Sequence, residues 1–136
     1  MEGGRAKKIC IVGLGSLGLA QLRAAEAGLG EFELAAGFDA DPVRAEILSS
    51  SAPLFPAHKM PEVIARMGIQ IAMLCVPAEA AQECAEICAA AGARGILNFA
   101  PVALRLPPGV HARDVSVLED LRGLAAMMDG AARAEA

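Results

Sequence analysis

The junction near the start of the chain constrains its fold more than any other feature. Lys8-Ile9-Cys10-Ile11-Val12, a nearly unbroken apolar run, passes straight into Gly13-Leu14-Gly15-Ser16-Leu17-Gly18, and the glycines open onto Ser16 to Ala27, rich in Leu, Ala, Gln and Arg. A run this short and this apolar predicts a strand covered on both faces, as in a parallel sheet. The residues after it are good helix formers, and Gly28 and Gly30 are placed to stop the helix. A covered strand, a glycine turn and a helix in that order begin a βαβ unit, whose next strand returns parallel to the first.

The rest of the chain repeats the alternation. Phe32 to Phe38 predicts a second strand ending at Asp39, and Asp41-Pro42 an N-cap followed by proline at the first helical position, for a helix over Pro42 to Leu48. Ser49 to Pro56 reads as a loop with a short edge strand near Leu54-Phe55, and Pro61 to Met67 as a brief helix closed by Gly68. Ile69 to Val76 predicts a parallel-sheet strand stopped by Pro77; Glu79 to Ala91 predicts a helix with its apolar stripe on Ala80, Cys84, Ile87, Cys88 and Ala91. Gly95 to Phe99 is the next strand, Pro107-Pro108-Gly109 a turn, Val110 to Val115 a last short strand and Ser116 to Met128 the final helix. With strands alternating with helices throughout and no internal repeat, the expected fold is α/β: a Rossmann-like, doubly wound, mostly parallel sheet with helices on both faces. A leader over residues 1–7, one domain over residues 8–128 and a disordered tail over residues 129–136 complete the expected organisation.

Composition removes several classes of function. No apolar run approaches the ~18 residues of a membrane span, so no membrane partner is expected. Met1 to Lys8 precedes only Ile9 to Val12 before the glycines, which resembles neither a signal nor a transit peptide, and a cytoplasmic location is expected. A net charge of −4 predicts no basic surface for direct contact with nucleic acid, and the absence of Trp and Tyr removes the platforms on which unpaired bases stack. Cys10, Cys75, Cys84 and Cys88 fall inside strand or helix patterns rather than in spaced loop pairs. Cys84 and Cys88 share a helix face, where they suit either a metal or oxidant site or, the preferred reading, small buried hydrophobes. His58 and His111 stand without acidic neighbours at ligand spacing and read as solvent-facing, so no metal site is expected.

The glycine string acquires meaning from its context. In such a turn Gly13 permits the tight bend, Gly15 lets a pyrophosphate approach the backbone and Gly18 lets helix and strand pack closely, while the free N–H groups of the first helical turn, around Leu14, Ser16 and Leu17, meet the anion. An acid is expected roughly 20 residues further on, and Asp39 lies 21 positions after Gly18. A carboxylate there accepts from ribose hydroxyls and repels a 2′-phosphate, favouring NAD over NADP. Val76, Pro77 and Ala78 after one strand, and Asn98, Phe99, Ala100 and Pro101 after the next, belong on the carboxyl edge of the sheet, where they can flank the rest of a dinucleotide. Asn98 can hold an amide. No His, Lys or Tyr stands beside these loops to relay a proton, so no catalytic residue is expected.

The stretch Ile71-Ala72-Met73-Leu74-Cys75-Val76-Pro77-Ala78-Glu79-Ala80-Ala81-Gln82, followed by Gly95-Ile96-Leu97-Asn98-Phe99-Ala100-Pro101-Val102, resembles the effector domain of the Rex redox-sensing repressors, and Phe38-Asp39-Ala40-Asp41-Pro42 fits as well. The likeness runs from about Lys8 to Met128. It implies a homodimer, NADH held across the carboxyl edge of the sheet, a C-terminal helix exchanged between subunits, and a switch in which NADH releases the protein from DNA. Family members carry a winged-helix DNA-binding domain ahead of this one, a Tyr in the first crossover helix and an Asp at the start of the final helix. Here only seven residues precede Lys8, and Ala24 and Ser116 stand at the other two positions.

The function expected from these residues and this resemblance is a NAD(H)-binding redox-sensing or regulatory module that acts without its own DNA reader, through a homodimer and a further regulatory protein partner. Alternatives are a coenzyme A-binding protein of the same fold, a small NAD-dependent oxidoreductase and an excised fragment of a whole repressor. Asp39 speaks against coenzyme A, because a carboxylate suits free ribose hydroxyls and is unhelpful toward a phosphorylated adenosine. An enzyme of this kind normally adds a substrate domain or catalytic side chains to the nucleotide core. Val117, Leu118, Leu121, Leu124, Ala125 and Met128 form a broad apolar stripe on the final helix, fit for its own sheet or for a second copy of the chain.

Overall fold

The computed structural model describes residues 6–135, so residues 1–5 of the expected leader and Ala136 of the expected tail lie outside them. Six strands, β1 (Lys8–Val12), β2 (Glu33–Asp39), β3 (Leu54–Pro56), β4 (Ile71–Leu74), β5 (Gly95–Asn98) and β6 (His111–Asp114), form one sheet in the order β3-β2-β1-β4-β5-β6. Every pairing is parallel, with Val12 opposite both Phe38 and Leu74. The helices are α1 (Ser16–Ala27), α2 (Pro42–Ile47), α3 (Met60–Met67), α4 (Ala78–Ala90) and α5 (Val117–Glu135), and a short 3-10 turn, Ala57–Lys59, precedes α3. Among the described residues no helix is long and apolar enough to cross a membrane.

The strand order reverses between β1 and β4. The chain leaves β1 toward β2 on one side and returns to β4 on the other, so a crevice opens where their carboxyl ends part. Alternate residues of the strands build a core on each face. Cys10, Val12, Phe38, Ala72, Leu74 and Ile96 pack under Met60, Val63 and Ile64 of α3 and Ala85 and Cys88 of α4. On the opposite face Ile9, Ile11 and Met73 pack with Leu14 and with Leu22 and Ala25 of α1.

Local chemistry accounts for most element ends. Asp41 caps α2 by accepting from the Val43 N–H at 3.0 Å, with Pro42 as the first helical residue. Gly68 closes α3 in the left-handed region, at φ +66°, and the next N–H, of Ile69, reaches back to the Ile64 carbonyl at 3.1 Å. Glu26 ties α1 to the loop after α2: its carboxylate accepts from Arg23 and from the Ser51 N–H, each at 2.7 Å, and these bonds lower its pKa to about 2.

Two helices differ from expectation, and one crossover departs from the alternation of strands with helices. The buried line of α4 is Ala81, Ala85, Cys88 and Ala89, turned by one residue from the stripe through Ala80 and Cys84, because the small alanines let the helix lie close to the sheet. The crossover from β5 to β6 carries no helix. Pro101, Pro107 and Pro108 disfavour one, and Leu104, Leu106 and Val110 of this extended segment fill the helix's place against the core. Gln82 fixes the segment by donating to the Arg105 carbonyl at 2.8 Å and accepting from the Arg105 N–H at 2.9 Å. The last helix does not stop at Met128 but runs through residues 129–135, where alanines sustain it.

α5 also does not pack on its own sheet. Its side chains are exposed from Val117 to Ala131, including Leu118, Leu121, Leu124 and Met128, each more than half exposed.

Candidate functional site

The glycine turn connects the end of β1 to α1 in the crevice. Gly13 has φ +93°, its N–H donates to the Phe38 carbonyl at 2.8 Å, and a Cβ at this position would meet the Cys75 carbonyl oxygen at 2.5 Å. Gly18 is packed against the turn itself, where a Cβ would come within 1.6 Å of the Gly13 carbonyl oxygen. Gly15 differs from both. Its φ of −73° is open to any residue, and a Cβ there would meet nothing within 4 Å. The protein's own packing therefore does not require glycine at position 15, which faces open space at the N-terminus of α1. The N–H groups of Ser16, Leu17 and Gly18 in that first turn have no intrahelical acceptors and carry the positive end of the helix dipole.

Asp39 is the buried electrostatic partner of this turn. It is 5% exposed; Oδ1 accepts from the Leu14 N–H at 2.7 Å and Oδ2 from the Asp41 N–H at 2.9 Å. A carboxylate at the end of β2 thus fixes the glycine turn at the end of β1. Arg44, one turn into α2, places Nη1 3.4 Å from each Asp39 oxygen. Val76 lies beside Gly13, Pro77 is the N-cap of α4, and Ala78 is its first residue, so this predicted trio lines the other bank of the crevice.

Asn98 has structural partners that its place at a strand end did not reveal. It is fully buried, its Nδ2 donates to the Val102 carbonyl at 2.9 Å and to Asp114 Oδ1 at 3.1 Å, and its Oδ1 accepts from the Ala100 N–H at 3.0 Å. Both ends of the buried amide hold the turn after β5, so the side chain braces the loop beside the crevice. The residues it positions line a cavity of about 770 Å³. Leu17 and Gln21 of α1 form one wall, Phe99, Ala100 and Pro101 a second, and Asp114, Val115, Ser116 and Val117 at the root of α5 a third. Gln21, Asp114 and Arg44 were not among the sequence-predicted site residues. Gln21 follows Leu17 by one helical turn and Asp114 is the register partner of Asn98, signals that appear only once the helix face and strand pairing are known.

The cysteines line no reactive centre. Burial pushes the thiols of Cys75 up to about 11 and Cys88 up to about 12, and raises those of Cys10 and Cys84. The thiolate is the nucleophile and the metal ligand, so these groups behave as packing residues at neutral pH. His58 and His111 are both exposed, His58 in the 3-10 turn and His111 on edge strand β6. Among the described residues no three His, Cys, Asp or Glu side chains are gathered as a metal site.

Comparison with known proteins places this geometry. The chain is 38% identical over 118 residues to the redox-sensing transcriptional repressor Rex of Rhodopirellula baltica, covering 87% of this chain and 50% of that protein. It is 42% identical over 117 residues to the Rex of Thermus thermophilus, covering 85% of this chain and 54% of that protein. The chain thus spans about half the length of the curated relatives it matches. Among solved structures, RSP in complex with β-NADH superposes with a TM-score of 0.79 at 25% identity, over 96% of this chain and 64% of RSP. The model of the CoA binding domain family matches residues 5–102, which take in the glycine turn, Asp39 and the loops after β4 and β5. With its glycine turn, its carboxylate and strands β1 to β5 inside that match, the chain belongs to the CoA binding domain family.

Proposed function

We propose that this chain is a NAD(H)-binding regulatory module that binds without turnover. The observation that carries the reading is the open space at Gly15, above the unpaired N–H groups of α1 and beside the buried bond from Leu14 to Asp39. That is the arrangement a pyrophosphate requires, with free donors and no Cβ in its path. Gly13, Leu14, Gly15, Ser16, Leu17 and Gly18 would hold the pyrophosphate, Asp39 the adenosine ribose, and Val76, Pro77 and Ala78 the far bank. The cavity beyond Leu17 would take the remaining ring, with Phe99, Ala100 and Pro101 as its wall and Asn98 positioning them. RSP, whose structure contains β-NADH, and the Rex relatives, named as redox-sensing repressors, support the assignment.

Calorimetric titration with NADH, NAD and coenzyme A tests this reading. NADH is expected to bind saturably with one site per chain, at least about tenfold tighter than coenzyme A, and to remain unoxidised when incubated with a panel of carbonyl substrates. Preference for coenzyme A, or steady NADH oxidation, would replace the reading with the corresponding alternative.

The same reading gives α5 a role. A helix of 19 residues, about 28 Å long, that exposes Leu118, Leu121, Leu124 and Met128 presents more apolar surface than a monomer usually leaves in water. On the sheet face beside α1, Ile71, Leu97 and Phe99 are only partly buried. A second copy's α5 fits that face, in a homodimer with twofold symmetry. Because the root of α5 forms a wall of the cavity, a bound ring would touch the segment that joins the subunits. Truncation after Asp114 is expected to convert a dimer into a monomer by sedimentation velocity. A dimer of unchanged affinity would refute the exchange.

A further inference from the structure

Asp39 alone predicts rejection of a phosphorylated ribose, but the structure surrounds that carboxylate with groups that change the prediction. From the inside outward, Asp39 is buried and both its oxygens already accept backbone N–H bonds, from Leu14 and Asp41. The outermost charged group is the Arg44 guanidinium, whose side chain is 45% exposed. Its Nη1 straddles the two carboxylate oxygens at 3.4 Å each, long for a charge-assisted bond. Among the described residues it has no other hydrogen-bond partner. An arginine normally meets a carboxylate through two nitrogens at shorter distance; this one leaves most of its donor fork facing solvent. The pair is neutral as a unit, and the group a ribose substituent meets first is the cation.

We propose that Arg44 is a specificity residue that accepts a phosphomonoester at the adenosine 2′ position, so that the site admits NADP(H) as well as NAD(H). The inference rests on the dinucleotide reading above. Arg44 accommodates the two forms differently. Toward a 2′-hydroxyl it swings away, and the ribose takes its place on Asp39. Toward a 2′-phosphate it stays, screens the carboxylate and donates its free N–H groups to the phosphate oxygens. The contact with Asp39 is long, and only its Arg44 end reaches solvent, so either movement gives up little.

The test uses the full chain, its Arg44→Ala and Arg44→Lys variants, and four ligands: AMP, adenosine 2′,5′-bisphosphate, adenosine 3′,5′-bisphosphate and NADH. Arg44 is half-exposed and its two bonds to Asp39 are long, while Asp39 keeps its backbone donors Leu14 and Asp41, so thermal unfolding is expected to show all three proteins folded. The wild type is expected to bind the 2′,5′-bisphosphate more tightly than AMP. Arg44→Ala should weaken the 2′,5′-bisphosphate by about tenfold, leave AMP and NADH within about threefold, and flatten the salt dependence of the bisphosphate alone. Arg44→Lys should recover part of the loss. The inference is overturned if the wild type prefers AMP, if Arg44→Ala weakens all ligands equally, or if only the 3′,5′-bisphosphate responds, which would indicate the ribose phosphate of coenzyme A instead. Absence of NADH binding to the wild type would sink the dinucleotide reading separately, because the bisphosphates report on Arg44 without it.

Discussion

Substituting alanine for Gly18 is expected to destabilise the domain by about 3 kcal/mol or more, whereas the same change at Gly15 should cost less than about 1 kcal/mol and yet abolish nucleotide binding. The contrast comes from what a methyl group would meet. At Gly18 it would come within 1.6 Å of the Gly13 carbonyl oxygen and 2.7 Å of the carbonyl carbon, both backbone atoms of the turn that ends β1. No side chain can rotate to relieve such a contact; α1 must lift from the sheet, and Leu22 and Ala25 lift with it. At Gly15 the methyl group would meet no protein atom. It would occupy the space in which a pyrophosphate approaches the N–H groups of α1. Urea unfolding and NADH titration of both variants check the pair. Full NADH affinity in a folded Gly15→Ala protein would show that nothing docks on this turn.

Asp39→Ala carries the second large effect, on stability and on binding together. Removal of the carboxylate leaves the buried Leu14 N–H without its acceptor at 2.7 Å and releases Asp41 from the turn before α2. An unpaired buried donor costs about 1–3 kcal/mol, and here the lost acceptor was charged. A loss of about 3 kcal/mol is expected, with at least a thirtyfold fall in NADH affinity, about 2 kcal/mol on the same scale. Asp39→Asn should fall between the two proteins in stability, because its carbonyl can still accept from Leu14 while its NH₂ group opposes the Asp41 N–H. If Asp39→Ala lost affinity with no loss of stability, the Leu14 bond would not be holding the turn. Loss of stability with unchanged NADH affinity would confine Asp39 to a structural role.

The two substitutions also separate what was legible in the chain from what was not. The order of strand, glycine turn and helix, the acid 21 residues past Gly18, and the Asp41-Pro42 cap could be read directly, because each depends on residues close in sequence whose backbone demands are specific. The all-parallel sheet followed from the alternation of covered strands with helices. Asn98 was visible as a polar residue at a strand end, but its engagement with Val102 and Asp114 was not, since Asp114 arrives from β6, a strand 16 residues away. The packing of the helix-free crossover to β6 was hidden for a similar reason. Its leucines found a place on the core only because Gln82, on α4, holds Arg105 beside it.

The sequence by itself determined the class of fold, the position of the glycine turn and the presence of a carboxylate at the end of β2. Local rules decide these: hydrophobic period, helix capping and the steric freedom of glycine act within a few residues. Only the tertiary structure decided that Asp39 braces the turn through Leu14, that Arg44 stands outside it, and that α5 leaves the sheet with its apolar face uncovered. An apolar stripe states that a helix must be covered, and a charge states that it needs a partner. Which surface and which partner depend on contacts between segments distant in the chain, and those distances are set when the sheet closes the strands into register.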